Sequence, residues 1–286
     1  MSLKYLFLQL RPKQWTKNLL VFAAFVFSID KVAVFEVLNV LFAFLLFCTV
    51  SGCVYIFNDF MDREADRNHP EKKNRPIASG KLNPYFAILM GSIIVLFSFL
   101  AAYLLESLFS LVLVIYFILN LAYSIRLKHV VIIDIMTIAT GFVLRALAGG
   151  IVIKVDFTPW FLICVFLLSM LLAIGKRRHE LILLTDNKES HRKVLQSYSV
   201  PLLDQMTNVV VTATITSYSI FTFMSGRTLN LMWTIPIVMY GVFRYLYVVH
   251  MHGKGGKPEE LLLQDKGILF TVLFYGMSVI VILKYL

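Results

Sequence analysis

Long apolar runs, separated by short polar segments, dominate the pattern of residues along the chain. An α-helix needs about 20 mainly apolar residues to cross a bilayer. The runs that approach or reach this length cover roughly residues 17–29, 35–57, 84–105, 107–124, 131–153, 158–175, 205–225, 231–250 and 267–284. The pattern predicts an all-α, polytopic membrane protein of about nine transmembrane helices, with residues 1–286 as a single domain. The first run is the shortest, and only Glu106 and Ser107 divide the third run from the fourth.

Basic residues are distributed unequally between the loops on the two sides of this arrangement. The N-terminus and the loops near 58–83, 125–130, 176–204 and 251–266 contain most of the lysines and arginines. The opposite side has only Lys31, Lys154, Arg227 and Lys284. Because positively charged loops stay on the cytoplasmic side, the chain is predicted to lie in the plasma membrane with a cytoplasmic N-terminus.

Composition agrees with a membrane protein and argues against a nucleic-acid-binding protein. Of the 286 residues, 59% are hydrophobic and 15% are charged, whereas soluble domains have about 25% charged residues. The net charge of +10 would suggest nucleic-acid binding in a soluble protein, but here it follows from the sidedness of the loops. No nucleic-acid-binding module is recognisable, so membrane lipid is the expected partner.

An acidic motif follows the second apolar run, in the sequence NDFMDREAD. If the run and the motif form one continuous helix, Asn58, Asp62 and Asp66 are spaced i, i+4, i+8 and share a face, with Asp59 on the flank of that face. Side-chain oxygens of this kind bind Mg²⁺ while leaving positions for phosphate and water. The alternative is a solvated helix end with mixed charges, but the regular spacing and the asparagine favour a metal site with Asp62, Asn58 and Asp66 as its catalytic centre.

A basic loop comes directly after the acids and contains Lys72, Lys73 and Arg75. Cations that follow metal-binding acids are suited to a diphosphate group. The sequence therefore predicts that this loop and the acidic motif together bind the diphosphate of a substrate.

These residues resemble a known family. The pattern N-D-x-x-D-x-x-x-D followed by R-P-I-A-S-G is similar to the first signature of the UbiA superfamily of membrane transferases, and YSIRLKH (123–129) resembles a second element of it. The resemblance covers essentially the whole chain. It implies nine transmembrane helices around a central cavity and a Mg²⁺-bound diphosphate substrate.

The chain departs from the prenyl-transferring members where a second acidic motif is expected after the sixth run. GKRRHEL (175–181) stands there, and its cations Lys176, Arg177 and Arg178 favour a second anionic group over a second metal. The alternative is a simple positive anchor at the membrane surface. Further segments resemble the decaprenyl-phosphate phosphoribosyltransferase branch of the superfamily: RPKQWTKN (11–18), LKHVVIIDI (127–135), LRALAGG (144–150) and KPEELLLQD (257–265).

That branch implies a specific reaction. Its members transfer the phosphoribosyl group of 5-phosphoribosyl 1-diphosphate to a polyprenyl phosphate, with Mg²⁺ as cofactor. A prenyltransferase that uses a prenyl diphosphate is the second hypothesis, and a non-catalytic transporter or scaffold is the third. The sequence leaves open whether the chain forms a homo-oligomer.

Two charges are predicted to lie inside the membrane, where they are costly and usually functional. Asp134 and Arg145 share a helix face but are about 16 Å apart along the axis, too far to be partners. Arg145 is predicted to meet a phosphate of donor or lipid, unless backbone carbonyls satisfy it. Within the branch's motifs, Lys17 and Lys128 are predicted phosphate contacts, and Tyr55 is predicted to contact the donor.

Overall fold

The computed structural model describes residues 2–33, 35–68, 72–184, 193–226, 228–253, 255–256 and 258–286. In these ranges the chain forms only helices and connections, without a β-strand. The α-helices are α1 (Ser2–Gln9), α2 (Ala23–Val26), α3 (Glu36–Met61), α4 (Arg63–Arg67), α5 (Pro84–Leu105), α6 (Ser107–Ile125), α7 (Ile133–Val152), α8 (Pro159–Leu184), α9 (Val200–Met224), α10 (Ile235–Met251), α11 (Pro258–Gln264) and α12 (Lys266–Tyr285). Short 3₁₀ helices cover Pro12–Phe22, Lys72–Asn74, Leu127–His129, Lys193–Ser197 and Leu229–Thr234. The predicted all-α class is confirmed.

In the described part of the chain, 7 helical segments are long and apolar enough to cross a membrane. They are α3, α5, α6, α7, α8, α12 and the continuous segment Leu229–Met251. The predicted division at Glu106 is confirmed, because α5 ends one residue before it and α6 begins one residue after it.

The other two predicted spans have a different character. The run at 17–29 forms the 3₁₀ helix Pro12–Phe22 followed by the single turn of α2. The run at 205–225 lies in α9, which has 25 residues but carries many threonines and serines along its length. The count of nine spans therefore stays a prediction.

The bundle is built around α3 and α7, the most buried of these helices. One core joins α3 and α7 with α6 and the segment Pro12–Phe22. A second core joins α7 with α8, α9 and α10. By contrast, α5, α6 and α12 turn many large apolar side chains outward, as expected for helices that face lipid.

The segment Pro12–Phe22 packs unusually close to α7, and a glycine makes this possible. A Cβ atom on Gly149 would overlap the carbonyl oxygen of Val21. The small residue thus fixes the depth of the segment Pro12–Phe22 in the bundle; this segment contains Lys17, and Arg11, which contacts Asp59, directly precedes it.

The prediction of one continuous helix through the acidic motif is wrong at one residue. The α3 helix ends at Met61, and Asp62 leaves helical geometry with φ −90° and ψ 5° before α4 begins. The amide of Asp62 still donates to the carbonyl of Asn58, and the amide of Asp66 to that of Asp62, both at 2.9 Å. Asn58, Asp62 and Asp66 therefore stay linked by backbone hydrogen bonds four residues apart, although the helix breaks at Asp62.

Candidate active site

Asp59 is the centre of the acidic motif, although the sequence placed it on the flank. It is only 1% exposed. Arg11 donates from Nη2 to both of its carboxylate oxygens at 2.6 Å, and Gln9 donates from Nε2 to Oδ2. These donors come from α1 and the turn after it, so the N-terminal segment closes one side of the motif.

Arg75 joins two of the acids. Its Nη1 donates to Oδ1 of Asp59 at 2.9 Å and to Oδ2 of Asp66 at 2.5 Å. The two carboxylates therefore converge on a single positive centre. The structure brings Arg75 to the acids, whereas Lys73 is exposed and Lys72 is half-buried on the preceding 3₁₀ turn.

Asp62 has a different cationic neighbour. The Nζ atom of Lys128 lies 3.3 Å from both oxygens of the Asp62 carboxylate. Lys128 belongs to the 3₁₀ helix Leu127–His129, directly after α6. The two sequence elements that carried the family resemblance are therefore in direct contact.

Tyr55 and Lys17 lie on the two elements that flank the acids. The guanidinium of Arg11 stacks over the ring of Tyr55, with 4.7 Å between its central carbon and the ring centroid. Lys17 is half-buried in the segment Pro12–Phe22, and Asn58 is half-buried in the last turn of α3. Sequence reasoning missed Arg11 and Gln9 as site residues; the only signal was that Arg11 begins the segment RPKQWTKN.

The donor set fits a hard divalent cation. Within the described residues no group of three or more His, Cys, Asp or Glu side chains is arranged as a metal cluster. Instead, Arg75 occupies the point where the carboxylates of Asp59 and Asp66 converge. Carboxylate oxygens are the ligands that Mg²⁺ prefers, so Asp59 and Asp66, which share Arg75, and Asp62, which contacts Lys128, are the residues that could hold the ion.

Arg177 lies inside the protein. Its side chain is 1% exposed, and its Nε donates at 2.7 Å to Asp134, which is completely buried. Arg177 also donates to Glu180 at 2.5 Å and to the hydroxyl of Tyr123 at 3.0 Å. Two carboxylates therefore neutralise the guanidinium that the sequence assigned to a substrate phosphate.

The other cations of GKRRHEL lie on either side of Arg177. Arg178 donates to Asp204 of α9 at 2.6 Å, which ties the C-terminal part of α8 to the start of α9. Lys176 is half-buried on the same turn. Arg177 thus connects α8 to α7, and Arg178 connects α8 to α9.

Arg145 is also satisfied by the protein. It donates to the Asn18 side chain at 2.7 Å, to the Gly141 carbonyl at 2.8 Å and to the Tyr116 hydroxyl at 2.7 Å. The prediction that Arg145 and Asp134 are not partners is confirmed, since each has its own set. Arg145 is therefore satisfied by one backbone carbonyl, as the alternative expected, and by two side chains that it did not foresee; Asn18 extends the network to Ser51 of α3.

Comparison with known proteins identifies the family. The family model described as "UbiA prenyltransferase family" matches residues 19–262. The chain belongs to the UbiA prenyltransferase family. Two similar UbiA relatives are named decaprenyl-phosphate phosphoribosyltransferase. The protein from Mycolicibacterium smegmatis is 32% identical over 90% of this chain and 85% of its own length, and the one from Corynebacterium glutamicum is 36% identical over 90% and 80%.

The fold agrees with solved UbiA structures. A UbiA homologue from Archaeoglobus fulgidus, bound to DMAPP and Mg²⁺, superposes with a TM-score of 0.73 at 18% identity, covering 96% of this chain and 98% of the homologue. This likeness shows that the chain shares the UbiA fold.

Proposed function

We propose that this UbiA family member transfers the 5-phosphoribosyl group of 5-phosphoribosyl 1-diphosphate to the phosphate of a polyprenyl phosphate and releases diphosphate. The observation that carries the proposal is the similarity, along 90% of the chain, to proteins named decaprenyl-phosphate phosphoribosyltransferase. The convergence of acids with Arg11, Arg75 and Lys128 supports a substrate rich in phosphate.

The reaction is a substitution at C1 of the ribose. An oxygen of the polyprenyl phosphate forms the new bond to C1, and the bond from C1 to the diphosphate oxygen breaks with its electron pair on the diphosphate. The acceptor phosphate is already anionic at pH 7, so no general base has to remove a proton. This agrees with a site of acids and cations that needs no catalytic dyad.

The residues of the site divide into three proposed roles. Asn58, Asp62 and Asp66, together with Asp59, would hold Mg²⁺, which supplies positive charge against the departing diphosphate. Lys128 and the basic residues Lys72, Lys73 and Arg75 bind and orient the donor's phosphates, with Tyr55 and Lys17 beside them. Arg145, Lys176, Arg177 and Arg178 act mainly by fixing the helices that carry these groups.

The protein is proposed to work at the cytoplasmic face of the plasma membrane. The soluble donor enters from the cytoplasm, and the polyprenyl tail of the acceptor stays in the bilayer. The charge sidedness of the loops supports this orientation.

Purified protein in lipid nanodiscs tests the proposal directly. With ribose-labelled donor, Mg²⁺ and a polyprenyl phosphate, we expect label to appear in the lipid extract and to require all three components. Parallel reactions replace the donor with a labelled prenyl diphosphate and an aromatic acceptor. Transfer of the prenyl group without any phosphoribosyl transfer would contradict the proposal.

A further inference from the structure

The connection between α6 and α7 contains a strained turn. Ile132 has φ 69° and ψ −45°, and the amide of Ile133 donates to the carbonyl of Val131 at 2.8 Å. This is a γ-turn with positive φ, a rare and strained conformation, and a β-branched residue is least suited to it. Such strain persists only where the surroundings enforce it.

Tyr198 is the side chain that bonds directly to the turn. Its hydroxyl accepts from the amide of Ile132 at 2.7 Å and donates to Oδ1 of Asp134 at 2.8 Å. The side chain of the α7 N-cap residue Ile132 makes no cap bond, and the amide of the same residue is the one that the Tyr198 hydroxyl holds. Burial raises the pKa of the Tyr198 phenol well above its ordinary value, so the hydroxyl keeps the proton that it donates.

The turn lies close to the acidic motif. Lys128, which contacts Asp62, belongs to the 3₁₀ helix Leu127–His129 between the end of α6 and the turn. On the α6 side this segment is held through the hydroxyl of Tyr123, which accepts from Arg177. On the α7 side it is held by the bond from the Ile132 amide to the Tyr198 hydroxyl. The position of Lys128 is therefore fixed from both ends.

We infer that Tyr198 is a positioning residue for the transfer reaction and acts through the γ-turn at Ile132 on Lys128. Its hydroxyl holds the turn in the strained conformation that directs Lys128 towards the acids, where the donor's diphosphate binds. Removal of the hydroxyl lets Ile132 relax to negative φ, and Lys128 then withdraws from the acids. This inference rests on the proposed function, because the donor is the ligand whose binding reports it.

The variant Tyr198→Phe removes one oxygen and leaves the ring in place. The variant loses the bonds to Ile132 and to Asp134, and we expect kcat/KM for 5-phosphoribosyl 1-diphosphate to fall about tenfold through the loss of the bond to the turn. The KM for polyprenyl phosphate should stay unchanged. Tyr245→Phe is the matched control, since Tyr245 is a buried tyrosine whose hydroxyl has no hydrogen-bond partner among the described residues; this variant should behave as the wild type.

Two further variants separate positioning from general structure. Glycine adopts positive φ without strain, so Ile132→Gly in the Tyr198→Phe background should restore at least half of the lost kcat/KM. In a Lys128→Met background, Tyr198→Phe should cause no further loss of kcat/KM. Additive losses, an absence of rescue by glycine, or wild-type kinetics of Tyr198→Phe would each overturn the inference. Wild-type protein that transfers no phosphoribosyl group would instead refute the proposed function, so the two failures are distinguishable.

Discussion

Arg177 and Asp134 form an ion pair at 2.7 Å between two side chains that are almost completely buried. Asp134 lies in the first turn of α7 and Arg177 lies in the last third of α8, so the pair joins these two helices. In low-dielectric surroundings, loss of one partner leaves a buried charge without compensation. The pair therefore explains why three consecutive cations at this position need not all contact a substrate.

The first prediction concerns the stability of this pair. Asp134→Asn should lower the free energy of unfolding by about 3–5 kcal/mol, because Arg177 then loses one of its two carboxylates in the protein interior. Arg67→Gln serves as control, since Arg67 pairs with Glu64 on the surface and such pairs contribute only about 0–1 kcal/mol. Thermal unfolding in detergent measures both. Equal small effects of the two variants would contradict the buried-pair interpretation.

The second prediction concerns the acidic motif. Asp62→Ala should reduce phosphoribosyl transfer by about 10²-fold or more, because the site loses both a proposed metal ligand and the partner of Lys128. Glu64→Ala is the matched control, two residues further along, where the side chain is 70% exposed. Initial rates at saturating Mg²⁺ compare the variants. Full activity in Asp62→Ala would exclude this carboxylate from the reaction.

The third prediction concerns the packing of the N-terminal segment. Gly149→Ala places a methyl group against the carbonyl of Val21 and should destabilise the protein by about 1–3 kcal/mol. It should also reduce transfer, because Lys17 belongs to the displaced segment Pro12–Phe22 and Arg11 directly precedes it. Gly276→Ala meets no atom within 4 Å and should be neutral or slightly stabilising. Unfolding temperature and transfer rate, measured on the same samples, test whether the two losses occur together.

The fourth prediction concerns pH. The Arg244 side chain, which donates to Asp265 at 3.1 and 2.8 Å, lowers the pKa of that carboxyl below its ordinary value. A lowered pKa in the folded state stabilises the protein above the ordinary carboxyl pKa of about 4, and this stabilisation disappears as pH falls through the lower, folded value. Asp265→Asn keeps the cap on α12 but removes the charge. The difference in unfolding temperature between wild type and variant should therefore be largest near neutral pH and vanish under acid conditions.

The helices were predictable where apolar length alone determines them. The runs at 84–105 and 107–124 became α5 and α6 almost residue for residue, because a segment in lipid must satisfy its backbone internally. The run at 17–29 was less predictable. Its close approach to α7 depends on Gly149, more than a hundred residues away, and the sequence gives no direct sign of that contact.

The site was predictable in location but less so in its detailed contacts. The spacing of Asn58, Asp62 and Asp66 pointed to a stretch where the structure gathers acids and cations, with Lys128 in contact with Asp62; its role as a metal site stays a prediction. The inward direction of Arg177 was not predictable. A cation at the end of an apolar run gives the same sequence pattern whether its side chain faces water or a buried carboxylate. Only the fold brings Asp134 and Tyr198 to the same point.

Asp59 and Asp66 share one nitrogen of Arg75, so the acidic pocket carries a counter-ion that is tethered to its own chain. A tethered counter-ion cannot diffuse away when another cation enters; it stays within reach of any anion that arrives with that cation. Dissolved salt ions therefore compete only weakly with Arg75 for these two carboxylates. If the proposed Mg²⁺ binds here, it exchanges one positive partner of these acids for another, and the carboxylates keep a compensating charge before and after it binds.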